Sequence, residues 1–221
     1  MNLFHAQREE ICRAGRSLFE RGYVHASAGN ISLRLPEGQG FLITPTDACL
    51  GLLQPDRLAH TDASGALLSG PRASKTLALH QRIYAAAPEA NCVLHSHSTH
   101  LVALSLTGVW SAASILPPIT PYFVMKVGQV PLIPYHRPGD PAVAERVGTE
   151  IEAAVARGTP IRAVMLERLG PNVWHDCVAA AMAVLEELEE TARLWLLSAR
   201  RASPLTEAQI DELRRHFGAR W

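Results

Sequence analysis

The chain has 221 residues, 48% hydrophobic and 19% charged, enough apolar material for a substantial core in one domain. Lys plus Arg number 21 and Asp plus Glu 21, so no net field draws the protein to nucleic acid or a membrane surface, and an anionic ligand must be held by local groups. No apolar run approaches the roughly 20 residues of a membrane helix, and the start, MNLFHAQREE, is too polar for a secretory signal. Four cysteines (Cys12, Cys49, Cys92, Cys177) lack zinc or redox spacing, so free thiols in a cytoplasmic protein are expected.

Phe4, Ile11 and Leu18 recur at intervals of seven, which marks a first helix with one buried stripe, stopped near Gly22. The turn-like HASAGN leads into ISLRL, an alternating half-buried strand, and FLIT follows as a second. The stretch to about Gly70 reads as a loop-rich connection. Ser74 is placed to cap a helix that runs to about Ala87 and stops at Pro88. NCVLHSH, VPLIPY and RAVMLE read as strands, and RPGDP opens a helix over Pro141–Ala156. Between Ala179 and Arg201, Ala181, Leu185, Leu188, Ala192 and Trp195 form a helical seam spaced four, three, four and three. Thr206 and Gln209 make a capping box for a last helix ending near Phe217–Gly218. Strands alternating with helices, with no repeats and no low-complexity linker, predict a single layered α/β domain over 1–221.

Four places could carry chemistry. His95 and His97 sit two apart on a predicted strand, so their side chains project from one face within reach of a single metal ion; a pair of hydrogen-bonded histidines at a strand end is the alternative. His100 falls outside that alternation and reads as a structural residue capping the following helix. Ser27-Ala28-Gly29-Asn30 offers close backbone approach and N–H groups for an anion, or a mere turn. Thr44-Pro45-Thr46-Asp47 puts hydroxyls at a strand end. Ser74-Lys75-Thr76 combines a helix start with a cation, which suits phosphate as well as a plain N-cap.

In this order and spacing, ASAGNISLRL, LITPTD, ASKTLALH and VLHSHSTH resemble the class II aldolase/adducin family over essentially the whole chain. ITPYFVMKVGQVPLIPYHRPGDP and LTEAQIDELRRHFGARW look like its branch of 3-oxo-tetronate 4-phosphate decarboxylases. The resemblance implies a three-layer α/β/α fold with a central, mainly antiparallel sheet flanked by helices. It also implies a homotetramer with active sites between subunits. Gly29, Asn30, Thr46, Ser74 and Lys75 match the positions that bind the substrate phosphate, and His95 and His97 match two of three ligands for a divalent metal, zinc above all.

Three departures bear on the chemistry. Thr76 stands where the family has a catalytic glutamate, four residues before His80. Leu169, in Glu167-Arg168-Leu169-Gly170, replaces the third metal histidine, and Asp47 replaces a glycine near the expected phosphate. Glu167 lies two residues from Leu169 and is expected, from strand alternation, to be the third metal ligand; His136 and His175 are loop residues with weaker claims. The branch implies a small phosphorylated sugar acid that loses carbon dioxide through a metal-stabilised enolate to give dihydroxyacetone phosphate. Thr76, relaying a water proton, or Tyr122 would supply the final proton. Rival readings are an aldolase for another phosphorylated sugar, a Schiff base on Lys75, and an inactive phosphate-binding or assembly member of the family.

Overall fold

The computed structural model describes residues 4–221; the first three residues of the MNLFHAQREE start lie outside the described residues. Its strands are β1 (Asn30–Arg34), β2 (Phe41–Ile43), β3 (Ala59–Thr61), β4 (Leu67–Ser69), β5 (Cys92–His95), β6 (Leu132–Ile133), β7 (Ala163–Leu166) and β8 (Gly170–His175). The α-helices are α1 (His5–Glu20), α2 (Leu77–Ala86), α3 (Thr99–Thr107), α4 (Pro141–Ala156), α5 (Val178–Leu197) and α6 (Glu207–Phe217). The strands form one sheet in the order β4-β3-β2-β1-β5-β8-β7-β6. Its pairings are antiparallel apart from the parallel pair β6–β7.

Alternation along the central strands decides which layer covers which face. Ile31, Leu33, Cys92, Leu94 and Val173 point into a core with α1, α3 and α5. Val93, Val164, Leu166 and Trp174 point the other way, into a core with α2 and α4. This is the expected central sheet between helical layers. The α5 seam packs as its spacing requires: Ala181, Leu185, Leu188 and Ala192 are fully buried and Trp195 nearly so. Asp140 accepts the Ala142 N–H with Pro141 in the first turn of α4, and Thr206 and Gln209 complete the capping box of α6.

Some local expectations are corrected. The connection up to Gly70 contains β3 and β4, three residues each, too short to show a period. GPNVWH is strand β8 although it opens with Gly-Pro. α2 starts at Leu77, and the Ser74 hydroxyl accepts the Thr76 N–H at 3.4 Å instead of capping the helix. His100 does not itself cap α3. The buried Glu189 carboxylate does, accepting the N–H groups of His100 and Leu101 at 2.9 and 3.1 Å while holding His100 Nδ1 at 2.8 Å. Among the described residues no helix is long and apolar enough to cross a membrane.

Candidate active site

Asn30 on β1, His95 on β5 and Asn172 on β8 are directly opposed across two antiparallel pairings, so their side chains form a row on the α2/α4 face. That row is the floor of a cleft of about 390 Å³. Its walls come from the Ser27–Asn30 loop, the Pro45–Asp47 loop, the segment leading into α2, and Arg137–Asp140 leading into α4. The starts of both helices therefore face the cavity, where free N–H groups and the helix dipole favour an anion. Gly29 is a residue the site cannot exchange: its φ is +83°, and a Cβ there would stand 2.8 Å from the His95 carbonyl oxygen and 2.7 Å from Val24 Cγ1.

The Thr46 and Ser74 walls are stitched together. Thr46 N–H donates to the Arg72 carbonyl at 3.1 Å and Ser74 N–H to the Thr44 carbonyl at 3.2 Å, with a bridge between Pro45 and Ala73. The Ser74 and Thr76 hydroxyls lie 2.9 Å apart, and Lys75 between them is exposed at the cleft. Hydroxyls, backbone N–H groups and one ammonium thus converge on one end of the cavity, with Gly29 and Asn30 beside them.

At the other end the His95 and His97 rings lie 4.9 Å apart, centroid to centroid. His95 Nδ1 is 2.9 Å from the Pro171 carbonyl; a carbonyl can only accept, so Nδ1 carries the proton and Nε2 keeps its lone pair. Burial pushes the His95 pKa down to about 3, with the neighbouring His97 adding to the effect. Burial also lowers His97, with His25 contributing. Beneath them His80 accepts or donates at Nδ1 to the Ser32 hydroxyl (2.7 Å), which also meets the Tyr84 hydroxyl at 2.8 Å. Burial, then His95, pushes the His80 pKa to about 3.

These shifts predict acid sensitivity. Below pH ~6.5 the unfolded chain binds protons on His80 and His95 that the folded chain refuses down to about 3. Stability is therefore fully present above pH ~6.5. It falls by about 1.4 kcal/mol per pH unit for each ring as the pH drops toward 3. Urea unfolding of metal-free protein at pH 7.0 and 5.5 measures it; equal stabilities at the two values would show that these rings titrate normally in the fold.

Gly29, Asn30, Thr46, Ser74, Lys75, Thr76, His95 and His97 all line the one cleft. Glu167 does not. The strand ends at Leu166, and a tight turn with Arg168 at φ +65° follows. Alternation therefore no longer governs Glu167, whose carboxylate instead accepts the Tyr135 N–H at 2.8 Å. Among the described residues no three His, Cys, Asp or Glu side chains are grouped to hold a metal, so Glu167 is withdrawn as third ligand. Tyr122, 62% exposed, is absent from the cleft wall of its own chain. His136 Nδ1 turns to the Pro134 carbonyl, and His175 pairs with Asp176. Two residues were missed. His25, inside the HASAGN turn, sets its ring edge-on to His97 at 6.2 Å. Asn172 carries no motif of its own, and its strand opens with Gly-Pro, which hides it.

A divalent cation needs ligands that present free lone pairs. Two neutral imidazoles, one oriented by a backbone carbonyl, are in ligand form. They fit such an ion, with water or substrate oxygen left to complete the shell.

The sheet, its two helical layers and this cleft define the class: the chain belongs to the class II aldolase and adducin family, whose N-terminal domain matches residues 9–196. Within it, the chain is 55% identical to the 3-oxo-tetronate 4-phosphate decarboxylase of Cupriavidus necator over 97% of both chains. It is 42% identical to the enzyme of that name from Escherichia coli, over 94% of both. The crystal structure of Escherichia coli YgbL superposes with a TM-score of 0.84 at 42% identity, covering 95% of this chain and 98% of the other.

Proposed function

We propose that the chain is a carbon–carbon lyase that decarboxylates a 3-oxo-tetronate 4-phosphate to dihydroxyacetone phosphate and carbon dioxide. The observation that carries this is one cleft joining an anion-binding end to a pair of neutral imidazoles, with threonine at the start of α2; relatives of that name match nearly the full chain. The phosphate is held by the Gly29–Asn30 loop, the Thr46 and Ser74 hydroxyls and the Lys75 ammonium, which fixes the substrate's length along the cleft. The bond between C1 and C2 breaks, its electron pair forms the C2–C3 double bond, and the C3 oxygen takes the negative charge as carbon dioxide leaves. C2 then takes a proton. No C–H proton is removed in the forward direction, so Thr76 suffices where a base would otherwise be needed. His95 and His97 would hold a divalent cation, zinc by resemblance to the family, which would supply Lewis-acid stabilisation of that oxygen.

Thr76 relays the closing proton from water. Tyr122 is the alternative donor, acting from a neighbouring subunit of a homotetramer, because it is exposed on its own chain. The protein works in the cytoplasm on this reading.

Incubation with 3-oxo-tetronate 4-phosphate should release carbon dioxide and dihydroxyacetone phosphate in equal amounts. An aldehyde released without carbon dioxide from a phosphorylated ketose would instead mark an aldolase, and phosphate binding without either product an inactive member. Lys75→Ala should lower kcat/KM by about 10- to 100-fold, the worth of a hydrogen bond to a charged group, mainly through KM. Complete loss of kcat, with a borohydride-trapped adduct on Lys75 in the wild type, would favour the Schiff-base route.

A further inference from the structure

Asn172 is fully buried, and among the described residues neither its Oδ1 nor its Nδ2 has a hydrogen-bond partner. Buried side-chain amides are almost always satisfied, and one left open destabilises the fold. Leucine has the same branched outline, though bulkier, and would leave no polar atom open. Yet the amide lines the cleft, opposite His95 in the sheet register. Two further buried polar atoms are also unpartnered among the described residues: Asn30 Oδ1 on the other flank of the row, and Nε2 of His80, whose pKa is lowered first by burial and then by His95. Asn30 and Asn172 thus flank His95 in one row, each with amide atoms that no described residue engages.

Their chemistry is not interchangeable. His95 Nε2 holds a lone pair because Nδ1 is committed to the Pro171 carbonyl, and Asn30 Oδ1 is an acceptor. The Asn172 amide brings N–H donors to this part of the floor, and an N–H donor is what an oxygen gaining negative charge requires. No partner among the described residues has to be given up to make that bond.

We infer that Asn172 is a catalytic residue whose Nδ2–H group donates to the substrate oxygen that becomes the enolate oxygen as the carboxylate departs. The inference rests on the decarboxylase reading and assigns this residue a task within it. The register of β8 with β5 fixes the backbone that carries this amide beside His95.

The test uses Asn172→Leu and Asn172→Ala in the full chain, with three readouts. The first is steady-state decarboxylation. Loss of one such donor should lower kcat by about 10²- to 10³-fold while KM stays within about threefold, the pattern of a contact made only in the transition state. The second is deuterium uptake into dihydroxyacetone phosphate in D₂O, which reports enolate formation from the product side and should fall in the same ratio. The third is thermal unfolding, in which Asn172→Leu should melt no earlier than wild type because it removes unsatisfied polar atoms. Should the leucine variant fail to fold, the smaller alanine variant carries the same kinetic expectation. Near-wild-type kcat in either folded variant would overturn the assignment, leaving a structural water as the amide's partner. Lost kcat with unchanged deuterium uptake would also overturn it, since the amide would then act on the carboxylate. A wild type with neither turnover nor exchange would remove the decarboxylase reading, and this inference with it; an active wild type with active variants removes the inference alone.

Discussion

His95→Ala and His97→Ala should each lower kcat/KM for decarboxylation by about 10³-fold or more and release the divalent cation. A Lewis acid at a developing enolate is worth several kcal/mol, and about 4 kcal/mol corresponds to that factor in rate. The two rings are not equivalent. His95 is 6% exposed, and its Nδ1–H is fixed to the Pro171 carbonyl, so its lone pair is aimed before any ion arrives. His97 is half-buried and leans on both His95 and the exposed His25. Loss of His95 should therefore abolish metal uptake, whereas His97→Ala should leave weak binding that excess metal partly restores. With two imidazoles as protein ligands, affinity is modest, and prolonged dialysis against chelator should empty the wild type. Metal content by elemental mass spectrometry, beside the rate, decides the matter: unchanged turnover in a metal-free variant would sink the Lewis-acid role.

Legibility in the sequence followed the length and regularity of each element. The α5 seam repeats over five core positions, and every one of them is buried. α4 and α6 announce themselves through Asp140-Pro141 and the Thr206/Gln209 box, both of which form. β3 and β4 could not be read, since three residues carry at most one alternation and β4 is wholly exposed. β8 failed for a different reason. Gly170 and Pro171 are turn residues by local chemistry, and only pairing with β5 and β7 makes them strand. At the site, the strand face expected for Glu167 fails because β7 already ends at Leu166, and Asn172 has no local signal to mark it. The loops that line the cleft, and the His95–His97 pair, are legible because each is contiguous in sequence. What joins them is the register Asn30–His95–Asn172, a tertiary fact that no local pattern carries.

Gly170→Ala should cost more than about 4 kcal/mol of stability, a size reserved for severe steric or polar disruption. The residue sits at φ +137°, and a Cβ there would overlap the Ser96 carbonyl oxygen, with Ser96 C at 3.1 Å and His97 Cα at 3.3 Å. None of these is a flexible side chain that can swing aside. The backbone is pinned as well: Ser96 N–H donates to the Pro171 carbonyl at 3.3 Å, and the β7–β8 turn is tied to α3 by Arg168 N–H to the Ser105 hydroxyl at 3.1 Å. Relief therefore requires the end of β5 to separate from β8, which is where His95 and His97 are presented to the cleft. For a chain of this size the melting temperature should drop by roughly 10 °C or more, and whatever remains folded should bind metal poorly. Gly158→Ala is the control: its φ is +76° but nothing lies within 4 Å of the added Cβ, so only left-handed strain of about 1–2 kcal/mol is incurred. Equal losses at the two positions would show that backbone conformation alone, and not the contact with Ser96, makes glycine necessary at position 170.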